Sequence, residues 1–253
     1  MKTLVLADIH ANYPALSAVL NDAPKFDQVL FLGDLANFGP HPSECVECLK
    51  SLNPLCIMGN HDAQIASNNP KNFWDKWAHQ KLTPTQREWI GGFQPSVILD
   101  NHILVLHGVY SVNYDILPNT PDNDIENAFK DSIKPGIDEV WFGHYHYDMT
   151  RTINGITYRC IRPVGHHRDK DIRASYYLYE DNVLTHRKVN YEISKTIVDL
   201  ENSDIFADEL SCQSFVELVR NAYHEKILAK DIRAMQENER RNKVRIHAAS
   251  STD

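Results

Sequence analysis

Short runs of apolar residues, separated by stretches with apolar positions three and four apart, set the rhythm of the first sixty residues. Residues 2–7 are too short and too apolar for a surface helix and predict a buried strand. Pro14 suits a first helical position, and Ala15, Leu16, Val19 and Leu20 follow at helical spacing. A strand over 28–32, a helix over Ser43–Ser51 opened by Pro40 and Pro42, and a strand over 55–58 complete a βαβαβ series. That alternation predicts a parallel sheet covered on both faces, with any site at the C-terminal strand ends.

Residues 63–95 carry no strand signal. Phe73, Trp74, Trp77 and Leu82 form an apolar helical stripe, and Thr83-Pro84 reads as an N-cap with proline after it, so a helical insertion near the site is expected. The two tryptophans suit packing better than nucleobase stacking. Beyond them, Val97–Leu99 and Ile103–Leu106 flank a turn-like Asp100-Asn101-His102 and predict a hairpin. A helix over Ile125–Ile133 and a strand over 139–142 come next. Segments 149–153 and 156–161 bracket Asn154-Gly155, a strong hairpin signal, and Ser175–Tyr179 with Val183–Lys188 make another. The second half therefore predicts antiparallel pairing, and the whole a two-sheet sandwich with helices outside.

From about residue 196 the pattern turns helical, with Val216, Val219, Ala222, Tyr223 and Ile227 in register. This divides a domain over 1–195 from a C-terminal helical extension over 196–253. Its end carries Arg240, Arg241, Lys243 and Arg245, which reads as a solvated helix face, with a homo-oligomer contact or a partner-docking tail left open.

The formal charge of -8 argues against coating an extended nucleic acid, yet is compatible with a small phosphorylated substrate where bound cations supply local positive charge. No apolar run approaches the roughly 20 residues of a membrane helix, and the first residues lack a secretory pattern, so a cytoplasmic protein is expected. Five scattered cysteines do not resemble a disulfide framework; the Cys45/Cys48 pair lies in a helix-like stretch and reads as core.

Candidate chemistry stands at the strand ends. Asp8-Ile9-His10, Gly33-Asp34, Gly59-Asn60-His61-Asp62, His107-Gly108 and Gly143-His144-Tyr145-His146 each follow an apolar run. Carboxylates, an amide and imidazoles converging from five strands suit a pair of divalent transition metals. In these motifs, and in their order, the sequence resembles the calcineurin-like metallophosphoesterase superfamily. Its small bacterial and archaeal branch, with phosphodiesterase-type and diadenosine-tetraphosphatase-type members, is echoed by Asp8-Ile-His-Ala-Asn12 and by the run from Gly33 through Gly39, Pro40 and Pro42 to Glu44. Met58 before Gly59, and the absence of a "GDYVDRG" phrase, depart from the protein Ser/Thr phosphatases. Arg162-Pro163 stands where the branch has a Gly-Ser pair, which points to altered specificity.

The resemblance implies an α/β fold, a four-layer α/β/β/α sandwich of two mixed sheets flanked by helices. It implies a site in which Asp8, His10, Asp34 and His146 hold one metal, and Asp34, Asn60, His107 and His144 the other. Manganese is the first expectation, with iron, nickel, zinc or cobalt as alternatives. Hydrolysis of a small phosphate mono- or diester, in one reading nucleotide-derived, would proceed by attack of a hydroxide bridging the metals. His61 would face the substrate and protonate the leaving oxygen, oriented by Asp62. His166, His167 and Arg168 are candidate phosphate contacts. Asn12 and Asn37 are weaker ones, since each also suits a turn cap. Two other readings are a non-catalytic scaffold on this fold, as in a retromer subunit, and a nuclease. The complete ligand set opposes the first and the acidic charge the second.

Overall fold

A computed structural model describes residues 1–110, 112 and 114–222. In chain order the elements are β1 (Thr3–Leu6), α1 (Tyr13–Asp22), β2 (Gln28–Phe31), α2 (Pro42–Ser51), β3 (Leu55–Cys56), α3 (Asn60–Ala66), α4 (Phe73–Lys81), α5 (Pro84–Gly91), β4 (Ser96–Leu99) and β5 (Ile103–Leu106). There follow α6 (Asp122–Phe129), β6 (Glu139–Phe142), β7 (Met149–Ile153), β8 (Ile156–Cys160), β9 (Ala174–Glu180), β10 (Val183–Val189), α7 (Ile193–Glu201) and α8 (Glu209–Asn221).

Two five-stranded mixed sheets face each other, ordered β10-β9-β1-β2-β3 and β4-β5-β6-β8-β7. Strand alternation explains why β1 and β5 read as unbroken apolar runs. Leu4 and Leu6 pack outward under the helices while Val5 and Ala7 face the opposite sheet. In β5, Leu104 and Leu106 pack on the α6 side, whereas Ile103 and Val105 join the inter-sheet layer around Trp141. Each strand is buried on both faces, so neither shows the polar positions of a surface strand.

The three hairpins form as expected. The second half as a whole is not antiparallel, however: β6 runs parallel to both β5 and β8, and the β9–β10 hairpin leaves that sheet to pair antiparallel with β1. Local turn chemistry reports hairpins but carries no information on which distant strand a hairpin joins. The strand expected over 55–58 shortens to Leu55–Cys56, with Ile57 making an isolated bridge to Gln94. The helix expected over 125–133 is shifted to Asp122–Phe129.

The 63–95 stretch is helical. Asn72 and Thr83 cap α4 and α5 by accepting from Asp75 N and Gln86 N. Trp74 packs in an aromatic cluster, its ring 4.7 Å from Phe215 and 5.2 Å from Phe38, and Trp77 donates to Asp204. Cys45 and Cys48 are free thiols whose pKa values burial pushes up, in keeping with a core role for Cys45. Among the described residues no helix is long and apolar enough to cross a membrane. Tyr223, Ile227 and the basic run at 240–245 lie outside the described residues.

Candidate metal centre

Past the last ladder bond of each central strand the chain turns sharply. Asp8, His10, Asp34, His144 and His146 all adopt left-handed backbone conformations, with φ between 48° and 69°. For non-glycine residues such conformations cost about 1–3 kcal/mol each and persist only where neighbours enforce them. Here Asp8 N donates to Gly33 O, His10 N to Asp34 O and Ala11 N to Leu35 O, so the β1 and β2 loops are stitched side by side. Gly33 has a φ of 96°, and a Cβ there would lie 2.6 Å from Gly59 N and 2.8 Å from His107 Nδ1. Only glycine lets the β2 loop pass between β3 and β5.

Two groups of ligand-type atoms result: Asp8, His10 and His146 in one, Asp34, His107 and His144 in the other, each with its atoms within 4.8 Å of one another. His10 Nε2 and His146 Nε2 face each other at 2.9 Å, with Asp8 Oδ1 3.3 Å from His146 Nε2 and 3.7 Å from His10 Nε2. In the second group His107 Nε2 lies 3.1 Å from Asp34 Oδ2, and 4.0 Å from Asp8 Oδ1 of the first. The groups are therefore contiguous.

Proton positions follow from the outer partners. His107 Nδ1 meets Leu32 O at 2.6 Å, and a carbonyl only accepts, so Nδ1 carries a hydrogen and Nε2 is the ring nitrogen turned inward. His10 Nδ1 likewise meets Asn37 Oδ1 at 2.6 Å. Buried Nε2 of His107 and Oδ1 of Asn60 have no hydrogen-bond partner among the described residues. An inward ring nitrogen and an unsatisfied amide oxygen fit cations, which would take up both.

The electrostatics agree. Burial disfavours charge on Asp8 and Asp34, but the surrounding imidazoles outweigh it and hold both carboxyls below the usual range. Burial likewise opposes charge on His107, yet Asp34 and Asp8 raise it to about 10, so Nε2 holds a proton beside Asp34 that a bound cation would displace. His144 is lowered to about 4 and His146 to about 3, chiefly by burial, so both rings are neutral near neutral pH.

Asp62 does not orient His61. Its carboxylate turns toward the backbone, accepting from Asp34 N at 2.7 Å, Leu35 N at 2.9 Å and Gly59 N at 3.0 Å, and thereby clamps two ligand loops together. Position N3 of α3 directs it to its own helix start rather than to the preceding ring. The partner of His61 is Asp75, whose Oδ1 lies 2.7 Å from His61 Nδ1. Asn37 Nδ2 reaches the same oxygen at 3.4 Å, so His10, Asn37, Asp75 and His61 form one chain of contacts. Asp75 belongs to no motif; its only sequence signal is a polar residue within the apolar stripe of α4.

Asn12 is not free to meet a ligand. It caps α1 by accepting from Ala15 N and Thr196 Oγ1 and donates to Gly165 O. Arg162 also turns away from the site, forking onto Asp169 and donating to Arg173 O and Ser175 Oγ. The sequence change at Arg162-Pro163 therefore staples a loop. His166 lies between Phe38 and Phe215, at 5.1 and 5.7 Å, in an aromatic stack that covers the His10 side. Burial keeps His167 well below its usual pKa and so neutral. Tyr110, edge-on to His144 at 5.4 Å and 58% exposed, marks the open side, a residue with no motif to announce it.

A profile of the calcineurin-like phosphoesterase family matches residues 1–205. An uncharacterized protein of Methanocaldococcus jannaschii is 39% identical over 75 residues, 29% of this chain and 31% of that protein. The symmetrical bis(5'-nucleosyl)-tetraphosphatase of Coxiella burnetii is 40% identical over 68 residues, 25% of this chain and 23% of that protein. The chain thus spans less than a third of the length of these relatives. A metallophosphoesterase from Sphaerobacter thermophilus superposes with a TM-score of 0.74 at 24% identity, covering 88% of this chain and 100% of that one. A hypothetical protein from Pyrococcus horikoshii OT3 does so with a TM-score of 0.72 at 18% identity, over 88% and 98%. Both share the fold. With its strand-end ligand-type residues in family order and the profile match over most of its length, the chain belongs to the calcineurin-like phosphoesterase family.

Proposed function

We propose that this protein is a dinuclear metal-dependent hydrolase of a small phosphate ester, mono- or diester, with nucleotide-derived esters the first class to try. The observation that carries it is the contiguity of the two ligand groups, with His107 Nε2 near carboxylates of both. In this reading Asp8, His10, Asp34 and His146 hold one cation and Asp34, Asn60, His107 and His144 the other. When bound, such a pair polarises the ester and acidifies water. His61, ringed by Asp34 and Asp75, delivers a proton to the leaving oxygen. Asp75 holds that ring, Asn37 holds His10, and Asp62 keeps the loops of Asp34 and Asn60 in register. The nucleotide class draws on the relative named a symmetrical bis(5'-nucleosyl)-tetraphosphatase, whose matching segment is short.

The test is direct. Protein stripped with a chelator is reloaded separately with manganese, iron, nickel, zinc and cobalt. It is then offered aryl phosphate mono- and diesters, cyclic nucleotides and dinucleoside polyphosphates. About two metal equivalents by elemental analysis, and turnover restored by at least one of them, are expected. A protein that retains no metal and turns over nothing is not this enzyme.

A further inference from the structure

We propose that Arg168 binds a phosphate oxygen of the ligand beside the metal centre, through a buried guanidinium nitrogen that has no acceptor among the described residues. The inference rests on the phosphoesterase reading above, and four observations carry it.

The loop bearing Arg168 is tied to the ligand strand. Val164 N donates to Ala7 O and Gly165 N to Asp8 O, while Asn12 Nδ2 holds Gly165 O. The loop therefore keeps a constant position relative to Asp8.

Neighbouring acids are already engaged. Both carboxylate oxygens of Asp169 accept from the Arg162 fork, and Asp171 is shared by Arg173 and Lys188. The Nε of Arg168 is buried and has no acceptor among the described residues.

The guanidinium is nonetheless within electrostatic reach of the centre. Asp115 acts on it most, followed by Tyr147, Asp8 and Asp34, and it in turn lowers both His144 and His146. Cations bound by Asp8 and Asp34 would neutralise those two carboxylates and leave exposed Asp115 as the main acidic neighbour of Arg168.

A buried guanidinium nitrogen without an acceptor is costly, and the planar fork matches two oxygens of a phosphate group. An anionic substrate supplies the missing acceptor. The predicted ligand class is a phosphate that turns two unesterified oxygens to the Arg168 side, which a monoester, a diester or the chain of a polyphosphate can each present.

The experiment titrates inorganic phosphate into the metal-loaded protein by calorimetry, comparing parent, Arg168→Met and Arg168→Lys, with metal content and thermal unfolding measured on each. Expected is a tenfold or greater weakening of phosphate binding in Arg168→Met and a smaller one in Arg168→Lys. Metal content should be unchanged, and the ligand-free Tm no lower than the parent's. Equal phosphate affinity in parent and Arg168→Met overturns the proposal, and so does a lowered Tm with unchanged affinity, which marks a structural cation. Arg168-dependent phosphate binding by a protein that holds no metal would sink the phosphoesterase reading and leave this inference standing.

Discussion

Asp75 Oδ1 and His61 Nδ1 lie 2.7 Å apart, joining helix α4 to the first turn of α3 across the candidate site. Burial opposes charge on His61, but Asp34 and Asp75 outweigh it and lift its pKa above 6.5, so the ring stays protonated at higher pH than a free imidazole. Asp75→Asn keeps the shape and removes the charge. With alkyl phosphate esters, whose leaving oxygen needs a proton, the variant should lose about tenfold or more in kcat. With dinitrophenyl esters it should lose little. Its alkaline limb should move to lower pH. Equal losses on both classes of ester would remove His61 from the acid role.

Asp62 is expected to act on stability. At pH 7.5, Asp62→Asn sets an amide N–H₂ against backbone donors at Asp34, Leu35 and Gly59. A loss of about 3 kcal/mol is expected, or roughly 6–12 °C in Tm by calorimetry. A variant as stable as the parent would show that the clamp is dispensable.

Metal content offers a separate check. Asp34→Asn should leave at most about one of two cations per chain by elemental analysis, because Asp34 is the carboxylate proposed to serve both. His144→Ala should lose only its own cation, leaving the Asp8, His10 and His146 group occupied. Retention of both metals in Asp34→Asn would contradict the shared-carboxylate arrangement.

Asp148 gives a stability test whose sign follows from its partner. Its hydrogen bond to His186 holds the carboxyl below 3.8 against a smaller effect of burial. Such a depressed carboxyl stabilises the fold above its unfolded pKa, and the contribution disappears as pH falls through the folded value. The stability gap between parent and Asp148→Asn, from urea unfolding, should be present at pH 5–6 and close progressively below pH 3.8. With the carboxylate 41% exposed, solvent screening keeps the gap small. A gap that widens with acidification would reverse the assignment.

Much of the candidate site was legible before any coordinates. Ligand-type residues at strand ends announce themselves because a parallel strand points its C-terminus at the site, and its apolar run ends where the chemistry begins. The assignments that failed were those made by adjacency along the chain. Asp62 stands next to His61 in sequence, yet the helix start of α3 sends the two side chains to different partners, whereas Asp75 arrives from thirteen residues beyond Asp62 on another helix. Asn12 and Arg162 sit beside motifs and face into the scaffold.

Composition, period and motif order are properties of short segments, so the sequence alone determined the alternating elements, the hairpins and the donor types available to a cation. Tertiary structure decided which sheet each hairpin joined, since the pairing of β9 with β1 spans most of the chain and leaves no local trace. It also decided which acid serves His61 and left Arg168 Nε without an acceptor among the described residues. Both outcomes depend on competition among neighbours for hydrogen bonds, and neighbours exist only once the chain has folded.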